Sequence, residues 1–404
     1  MRPREAAVLG ALVAFAPTPA SAQEAPLTFP SALDLAIANN LDLAAARLGR
    51  AVREAEVRTA GQHPNPDLVF ESTKDTPHQM LSLDVPLEPW KRSRRIDLAR
   101  EELKLADVDD AAAMQALRRR VRLAFYGLLA AEEGATLAQS MVEVATRVHE
   151  VAQARFEEGA APRLDVMGAE LGLARAKADL ELVRSARVAA QAELNGLLNR
   201  PPMQPLSVAG DLAEGEPLPP VEQAVARAAA GNPELRAAEH EVGIEERRLG
   251  LLKGERLPTP VLSLGAVFNA PGEFDVGYRA GVSLAVPIFD RNQGQIAGSL
   301  VLADQARTRC DALRRSVEAK AYAAHARALA QRAQVAAYRE RLVPTATTIE
   351  SLAEEGYRLG RSPVLAVLEA QRTLRDAKSE YLSSLLSLQA ALADLEDVLG
   401  GPIQ

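Results

Sequence analysis

The side chains able to do chemistry in this 404-residue chain are few and scattered. Its five histidines, His63, His78, His149, His240 and His325, never fall at the close spacings that gather zinc ligands. The single Cys310 offers neither an internal disulfide nor a second thiolate. Each is expected to be an isolated surface residue or a packed one, so no metal site and no cofactor is expected. No phosphate-cradling glycine loop or nucleophile elbow occurs, and the glycines sit at turns and strand positions, so no catalytic residue is assigned. Two basic runs remain, Lys91-Arg92-Ser93-Arg94-Arg95 and Arg118-Arg119-Arg120. A net charge of −7 and the lack of interleaved aromatics argue against nucleic acid, leaving solvated or inter-chain charge.

What must position these residues is a chain with 48% hydrophobic and 25% charged residues, enough to bury a core and too apolar for wholesale disorder. Aromatics are scarce, with 8 Phe, 6 Tyr and 1 Trp. Abundant Ala, Leu, Glu and Arg instead favour long helices packed through narrow seams. At the start, Arg2 and Arg4 precede an uncharged run over 6–16, and Ala20-Ser21-Ala22 supplies small residues before a cleavage point near Gln23. Residues 1–22 are therefore expected to be a signal peptide. Beyond them no uncharged apolar stretch reaches the ~20 residues of a helical membrane span.

The sequence repeats itself. Phe156, Gly159, Pro162, Leu164, Val166, Leu173 and Ala176 match Tyr357, Gly360, Pro363, Leu365, Val367, Leu374 and Ala377, all at an offset of 201. Val85-Pro86-Leu87 and Val286-Pro287-Ile288 share that offset, and Asn40 and Asn232 occupy matching places in two apolar-spaced segments. Two repeats are expected, 23–200 and 218–404, joined by a Pro-rich linker over 201–217.

Each repeat reads in the same order. A first helix (31–62; 220–255) gives way to a segment of period two. In the second repeat, Val276, Tyr278, Ala280, Val282, Leu284 and Val286 alternate with polar or small residues, and the partner strand is 261–269. The first repeat gives a weaker hairpin, 68–74 with 80–85. Long helices follow: 94–159 runs free of proline for about 65 residues, roughly 98 Å of helix. Met114, Leu117, Val121, Ala124 and Leu128, like Leu385, Leu388, Leu392, Leu395 and Leu399, step by three and four as coiled-coil seams do. Gly159 with Pro162, and Gly360 with Pro363, predict sharp helical hairpins in which Gly closes one helix and Pro opens the next at its first position. Ser362 is the expected N-cap there, and Pro344 is expected to kink the long helix of the second repeat.

Four strands cannot close a barrel, and a two-faced sheet needs a helix layer or closure by sister chains. The expected fold is mainly α with a small β part. Long coiled-coil hairpins form a helical barrel, and four strands per chain contribute to a twelve-stranded trimeric β-barrel.

The segments Asn39-Asn40-Leu41-Asp42-Leu43 and Gly231-Asn232-Pro233-Glu234-Leu235, and the run from Tyr357 through Gly360, Pro363, Val364, Leu365, Val367 and Leu368 to Gln371, resemble the outer-membrane efflux proteins of the TolC family. The resemblance covers essentially the whole mature chain, twice. It implies a passive homotrimeric conduit embedded in outer-membrane lipid, with its helical tube in the periplasm. Its partners would be a periplasmic adaptor and an inner-membrane pump of the resistance–nodulation–division class. The segment from Pro86 through Trp90 to Arg95 is similar to the CzcC-like branch, which implies divalent metals such as Co, Zn or Cd as cargo. Drug efflux and type I protein secretion are alternatives within the family, and a soluble periplasmic coiled-coil adaptor or scaffold is one outside it.

By resemblance, tube closure falls near the hairpin tips, with acids six and nine residues after the tip Gly. Here those positions hold Asp165 and Gly168 in one repeat, Ala366 and Glu369 in the other. Asp165 and Glu369 are thus the implied pore constriction. Gly159, Pro162, Arg163, Gly360, Arg361, Ser362 and Pro363 are the implied adaptor-docking tips.

Overall fold

The computed structural model describes residues 26–213, 215, 217–272 and 274–403. The expected signal peptide lies outside the described residues. In each repeat a broken helix is followed by a strand pair and a long helical hairpin. The first contains α1 (Phe29–Asn39), α2 (Leu41–Ala60), β1 (Asp67–Ser72), β2 (Gln79–Pro86), α3 (Lys91–Glu157) and α4 (Arg163–Leu197). The second contains α5 (Val221–Gly231), α6 (Pro233–Glu255), β3 (Pro260–Ala270), β4 (Phe274–Leu284), α7 (Gln293–Ala337), α8 (Val343–Arg358) and α9 (Val364–Leu399).

The single first helix expected in each repeat is two. Asn40 and Asn232 take extended backbone, with ψ of 123° and 122°, and break it. Each Asn then caps the helix that follows: Asn40 Oδ1 accepts from Leu43 N–H and Asn232 Oδ1 from Leu235 N–H, both at 3.0 Å. Their amides donate to the last turn of a distant helix, Asn40 Nδ2 to Leu197 O at 3.1 Å and Asn232 Nδ2 to Val398 O at 3.0 Å. One side chain therefore satisfies an orphan donor and an orphan acceptor at once. It splices α4 to α2, and α9 to α6, end to end. At the second splice the backbones touch: a Cβ on Gly400 would stand 2.0 Å from Gly231 O, and Gly400 has φ +73°.

The main core lies at this waist. Leu117, Val121, Phe125 and Leu128 of α3 meet Leu385, Leu388, Leu392 and Leu395 of α9, while Met114 stands half out of the seam. The linker crosses the same core through Leu206, Val208 and Leu212, and Leu27 N–H bonds to Ser207 O at 2.9 Å. Inside this apolar layer Arg122 pairs with Glu396 at 2.8 Å, both nearly buried, and bonds to Gln389 at 3.1 Å. Gln389 passes the network on to Leu212 O at 2.9 Å.

The first basic run is engaged within the chain rather than left to solvent. Arg92 donates to Gly61 O, Arg95 to Ala60 O and Gln62 O, Arg94 to Gly250 O and Lys91 to Thr259. Arg92 and Arg95 thereby close carbonyls left open where α2 ends, and Arg94 and Lys91 tie α3 to α6 and to the segment before β3. Arg118, Arg119 and Arg120 pair with Glu396, Asp394 and Asp42.

Pro344 acts as expected, in a particular form: a five-residue π-helical turn, Tyr338–Leu342, separates α7 from α8. A proline has no N–H and crowds the carbonyl four residues back, so the helix widens by one residue to pass it. The equivalent place in α3 holds Glu143, and α3 runs uninterrupted.

The four strands form one antiparallel sheet in the order β1-β2-β3-β4. The register sets Leu68 opposite Leu83, Leu83 opposite Leu264 and Leu264 opposite Ala280. Alternation then gathers Leu68, Phe70, Leu81, Leu83, Leu262, Leu264, Phe268, Val276, Tyr278 and Val282 on one face. The other face carries Asp67, Glu71, Ser82, Asp84, Ser263, Asp275 and Arg279. Among the described residues no helix covers the apolar face, for Tyr278 is 90% and Val282 71% exposed. Among the described residues no helix is long and apolar enough to cross a membrane.

The splice gives a direct check. Gly400→Ala should lower the thermal denaturation midpoint of the detergent-solubilised protein, because the left-handed backbone alone costs about 1–2 kcal/mol and the new methyl meets a backbone oxygen. Gly401→Ala, with nothing within 4 Å, should leave the midpoint unchanged.

Candidate functional site

Both hairpin tips are built from the same backbone device. Where α3 ends, Gly159 turns left-handed at φ +73°, Ala160 N–H bonds to Arg155 O at 2.8 Å and Gly159 N–H to Phe156 O at 3.0 Å. Where α8 ends, Gly360 has φ +71°, Arg361 N–H bonds to Gly356 O at 2.7 Å and Gly360 N–H to Tyr357 O at 2.9 Å. This paired closure needs a residue without a Cβ penalty, hence glycine in both repeats. Pro162 and Pro363 do not occupy the first helical turn as expected. They are the N-cap residues, extended at ψ 154° and 156°. Ser362 consequently does not cap: its hydroxyl turns back toward Ala353 O at 3.4 Å.

The two tips lie side by side. Val148 and Ala152 of α3, Ala169 of α4, Tyr357 of α8, and Val364 and Val367 of α9 form a separate small core. Arg155 locks it, donating to Tyr357 O at 2.5 Å while its guanidinium stacks 4.7 Å from the Tyr357 ring centroid. Arg155 is the functional residue that sequence reasoning missed. Its only signal was a cation one residue before Phe156, which aligns with Tyr357.

Asp165 sits half-buried in the first turn of α4 and acts on Tyr357. Burial first, and the Asp165 carboxylate second, push the Tyr357 phenol above its ordinary value, against the opposing pull of Arg155. Glu369 is exposed on α9. The structure does not pair the two acids with each other, and among the described residues neither carboxylate makes a side-chain hydrogen bond or ion pair. A Cβ on Gly168 would lie in ordinary contact with Leu368 at 3.6 Å, and one on Gly172 would be tight against it at 3.3 Å. Small residues on α4 let α9 approach. Gly159, Pro162, Arg163, Gly360, Arg361 and Pro363 are exposed at the tips, and Ser362 is half-buried.

The sides of the molecule are left incomplete in a consistent way. Toward the sheet, α2 packs on α3, α3 on α6 and α6 on α7, matching the strand order. Toward the tips, α4 packs on α3, and α9 lies between α3 and the α7–α8 helix. One flank is thus α2, β1 and α4, and the other is α7, α8 and β4. Both flanks expose apolar side chains at coiled-coil spacing, Leu41 and Leu48 or Leu164, Met167 and Leu171 on one, Tyr322 and Leu329 or Leu352 and Leu359 on the other.

The remaining reactive groups lie apart from one another. His240 meets Glu101 at 2.9 Å, His325 meets Pro219 O at 2.8 Å, and burial pushes the thiol of Cys310 up. Among the described residues no group of three or more His, Cys, Asp and Glu is placed to hold a metal ion.

Residues 32–200 and 224–401 match the family model described as "Outer membrane efflux protein". The chain is 28% identical over 386 residues to the cobalt-zinc-cadmium resistance protein CzcC of Cupriavidus metallidurans, covering 93% of this chain and 90% of that one. Crystal structures of CusC share the fold with a TM-score of 0.78 at 16% identity, covering 92% of both chains. The outer-membrane channel OprN gives 0.77 at 17%, covering 93% and 90%. The open-state MtrE channel of Neisseria gonorrhoeae gives 0.76 at 20%, covering 93% and 89%.

The tip cluster should respond to alkali. A phenol held above its ordinary value stabilises the fold below that value and loses this contribution as pH rises through the raised one. Local protection against hydrogen exchange at 148–169 and 353–367, taken relative to the intrinsic rate at each pH, should therefore fall above about pH 10 in the wild type. Tyr357→Phe should remove that fall in protection, and Arg155→Ala should lower protection at both tips at neutral pH.

Proposed function

We propose, for a chain that belongs to the outer membrane efflux protein family, that three copies close head to tail into a single outer-membrane conduit. The observation that carries this reading is the agreement of the open flanks at every level. β4 of one copy meets β1 of the next, and its α7 and α8 meet α2 and α4 of the next, one rotation satisfying strand edges and helical seams together. Three copies supply twelve strands, within the range of known outer-membrane barrels. The apolar sheet face then meets lipid, and the face bearing Asp67, Glu71, Asp84 and Asp275 lines water. A soluble adaptor or scaffold would leave Tyr278 and Val282 with no cover.

At the other end the six helical hairpins of the trimer form a periplasmic tube closed at its tips. Asp165 and Glu369, repeated by threefold symmetry, give six carboxylates at the constriction, and a ring of such charge favours cations. Gly159, Pro162 and Arg163, with Gly360, Arg361, Ser362 and Pro363, are the exposed turn on which a periplasmic adaptor docks. The energy for transport comes from an inner-membrane resistance–nodulation–division pump. Similarity to a cobalt-zinc-cadmium resistance protein supports divalent metal cations as cargo. The conduit passes these ions without holding them, so scattered histidines are no obstacle.

Asp165→Lys with Glu369→Lys should lower the cation-to-anion permeability ratio in planar-bilayer recordings, and an unchanged ratio would place both acids away from the constriction. A strain lacking the protein should lose tolerance to Co²⁺, Zn²⁺ and Cd²⁺. Unaltered metal tolerance alongside altered drug sensitivity would reassign the cargo.

A further inference from the structure

The two repeats treat their basic residues differently where helices meet strands. In the first, the cations over 91–95 are used up on carbonyls, a hydroxyl and Glu88 of the same chain. In the second, Arg256 follows α6 just before β3, and Arg291 precedes α7 just after β4. Both are exposed, and among the described residues neither guanidinium makes an ion pair or hydrogen bond. The adjacent carboxylates are turned elsewhere, Asp290 accepting from Asn292 N–H at 2.9 Å and Glu255 from the Asn292 amide at 3.5 Å.

These two arginines line one surface pocket of about 460 Å³ with Ile288, Phe289, Ile296 and Leu300. Phe289 is 91% exposed, and Val286 and Ile288, which continue the alternation of β4 beyond its last residue, are both uncovered. The connecting loop is fastened: Gln293 accepts from Arg291 N–H at 2.7 Å and donates to Phe289 O at 3.2 Å. A preformed pocket therefore offers two unpaired cations beside exposed apolar side chains, at the helix-side rim of the apolar sheet face.

We propose that this pocket seats the phosphodiester headgroup of an anionic glycerophospholipid from the helix-side leaflet, its acyl chains lying along Ile288, Val286 and the β4 face. The inference rests on the reading that this face meets lipid. Two guanidiniums match a phosphodiester by paired N–H donors, and a soluble anion would leave Phe289 and Ile288 in water. The combination of cation and exposed apolar surface selects a lipid.

The test uses the full-length assembly, wild type and R256Q/R291Q, in nanodiscs of mixed phosphatidylglycerol and phosphatidylcholine, with retained lipid counted by native mass spectrometry. Wild type should retain phosphatidylglycerol over phosphatidylcholine by on the order of tenfold. R256Q/R291Q should lose that preference while remaining inserted and trimeric, and R256K/R291K should keep much of it. Equal retention by an inserted wild type would overturn the headgroup seat and leave the membrane reading intact. A wild type that stays out of the nanodisc would overturn the membrane reading itself. Dissociation of R256Q/R291Q into single chains would assign the pocket to the contact between copies. Displacement of the lipid by millimolar inorganic phosphate would make it a soluble-anion site. Either result would overturn the proposal.

Discussion

Everything in this molecule answers to one constraint, the unpaired backbone along the two edges of a four-stranded sheet. A strand edge is a row of donors and acceptors, and in a lipid environment it has no water to satisfy it. The order β1-β2-β3-β4 leaves β1 and β4 open, and both faces of the sheet are bare. The helices do not repair this. They extend the same two open sides downward, with α2 and α4 below β1, and α7 and α8 below β4. A chain built this way is a segment of a ring.

The length of the helical part raises a second physical problem, which the asparagines solve. Short and long helices must join without a loop that would bulge into the wall or the lumen. Asn40 and Asn232 do so by capping one helix while donating to the last carbonyls of another. Around these splices lies the main core, and it holds a polar network, Arg122 with Glu396 and Gln389. Removing one partner of such a pair would leave a buried charge uncompensated, so the network fixes how α3 sits on α9. The tips are the opposite case, a small separate core of six buried residues locked by Arg155 on Tyr357, and so the natural place for movement.

The family fold was readable because it is written in periodicity. Seams at three and four over 117–128 and 385–399, alternation over 276–286, and an offset of 201 between Gly159 and Gly360 each follow from local geometry that a sequence displays. Most of the readings that failed concern groups whose partners are distant in sequence, and one turned on a neighbour. Arg92 and Arg95 look like surface charge until the end of α2 is placed against them, at Ala60 and Gly61. Asn40 looks like a mid-helix residue until Leu197 arrives 157 positions later. Ser362 looks like a cap until Pro363 takes that role with backbone alone. At the candidate constriction the two acids could be named, but not that Asp165 leans on Tyr357 while Glu369 stands free.

By itself the sequence determined the duplicated order of elements, the two glycine-closed hairpins, the apolar and polar faces of the strand over 276–286, and the interruption at Pro344. All of these depend on contacts within a few residues or on the period of a single element. Only the tertiary structure decided that the strands of both repeats form one sheet, that Arg92 and Arg95 close the end of α2, that the repeats meet through Arg155 and Arg122, and that the same two flanks stay open from sheet to tip. Those outcomes depend on which distant backbone group reaches a given side chain first. Hydrogen-bond geometry in three dimensions sets that competition, and a linear pattern does not record it.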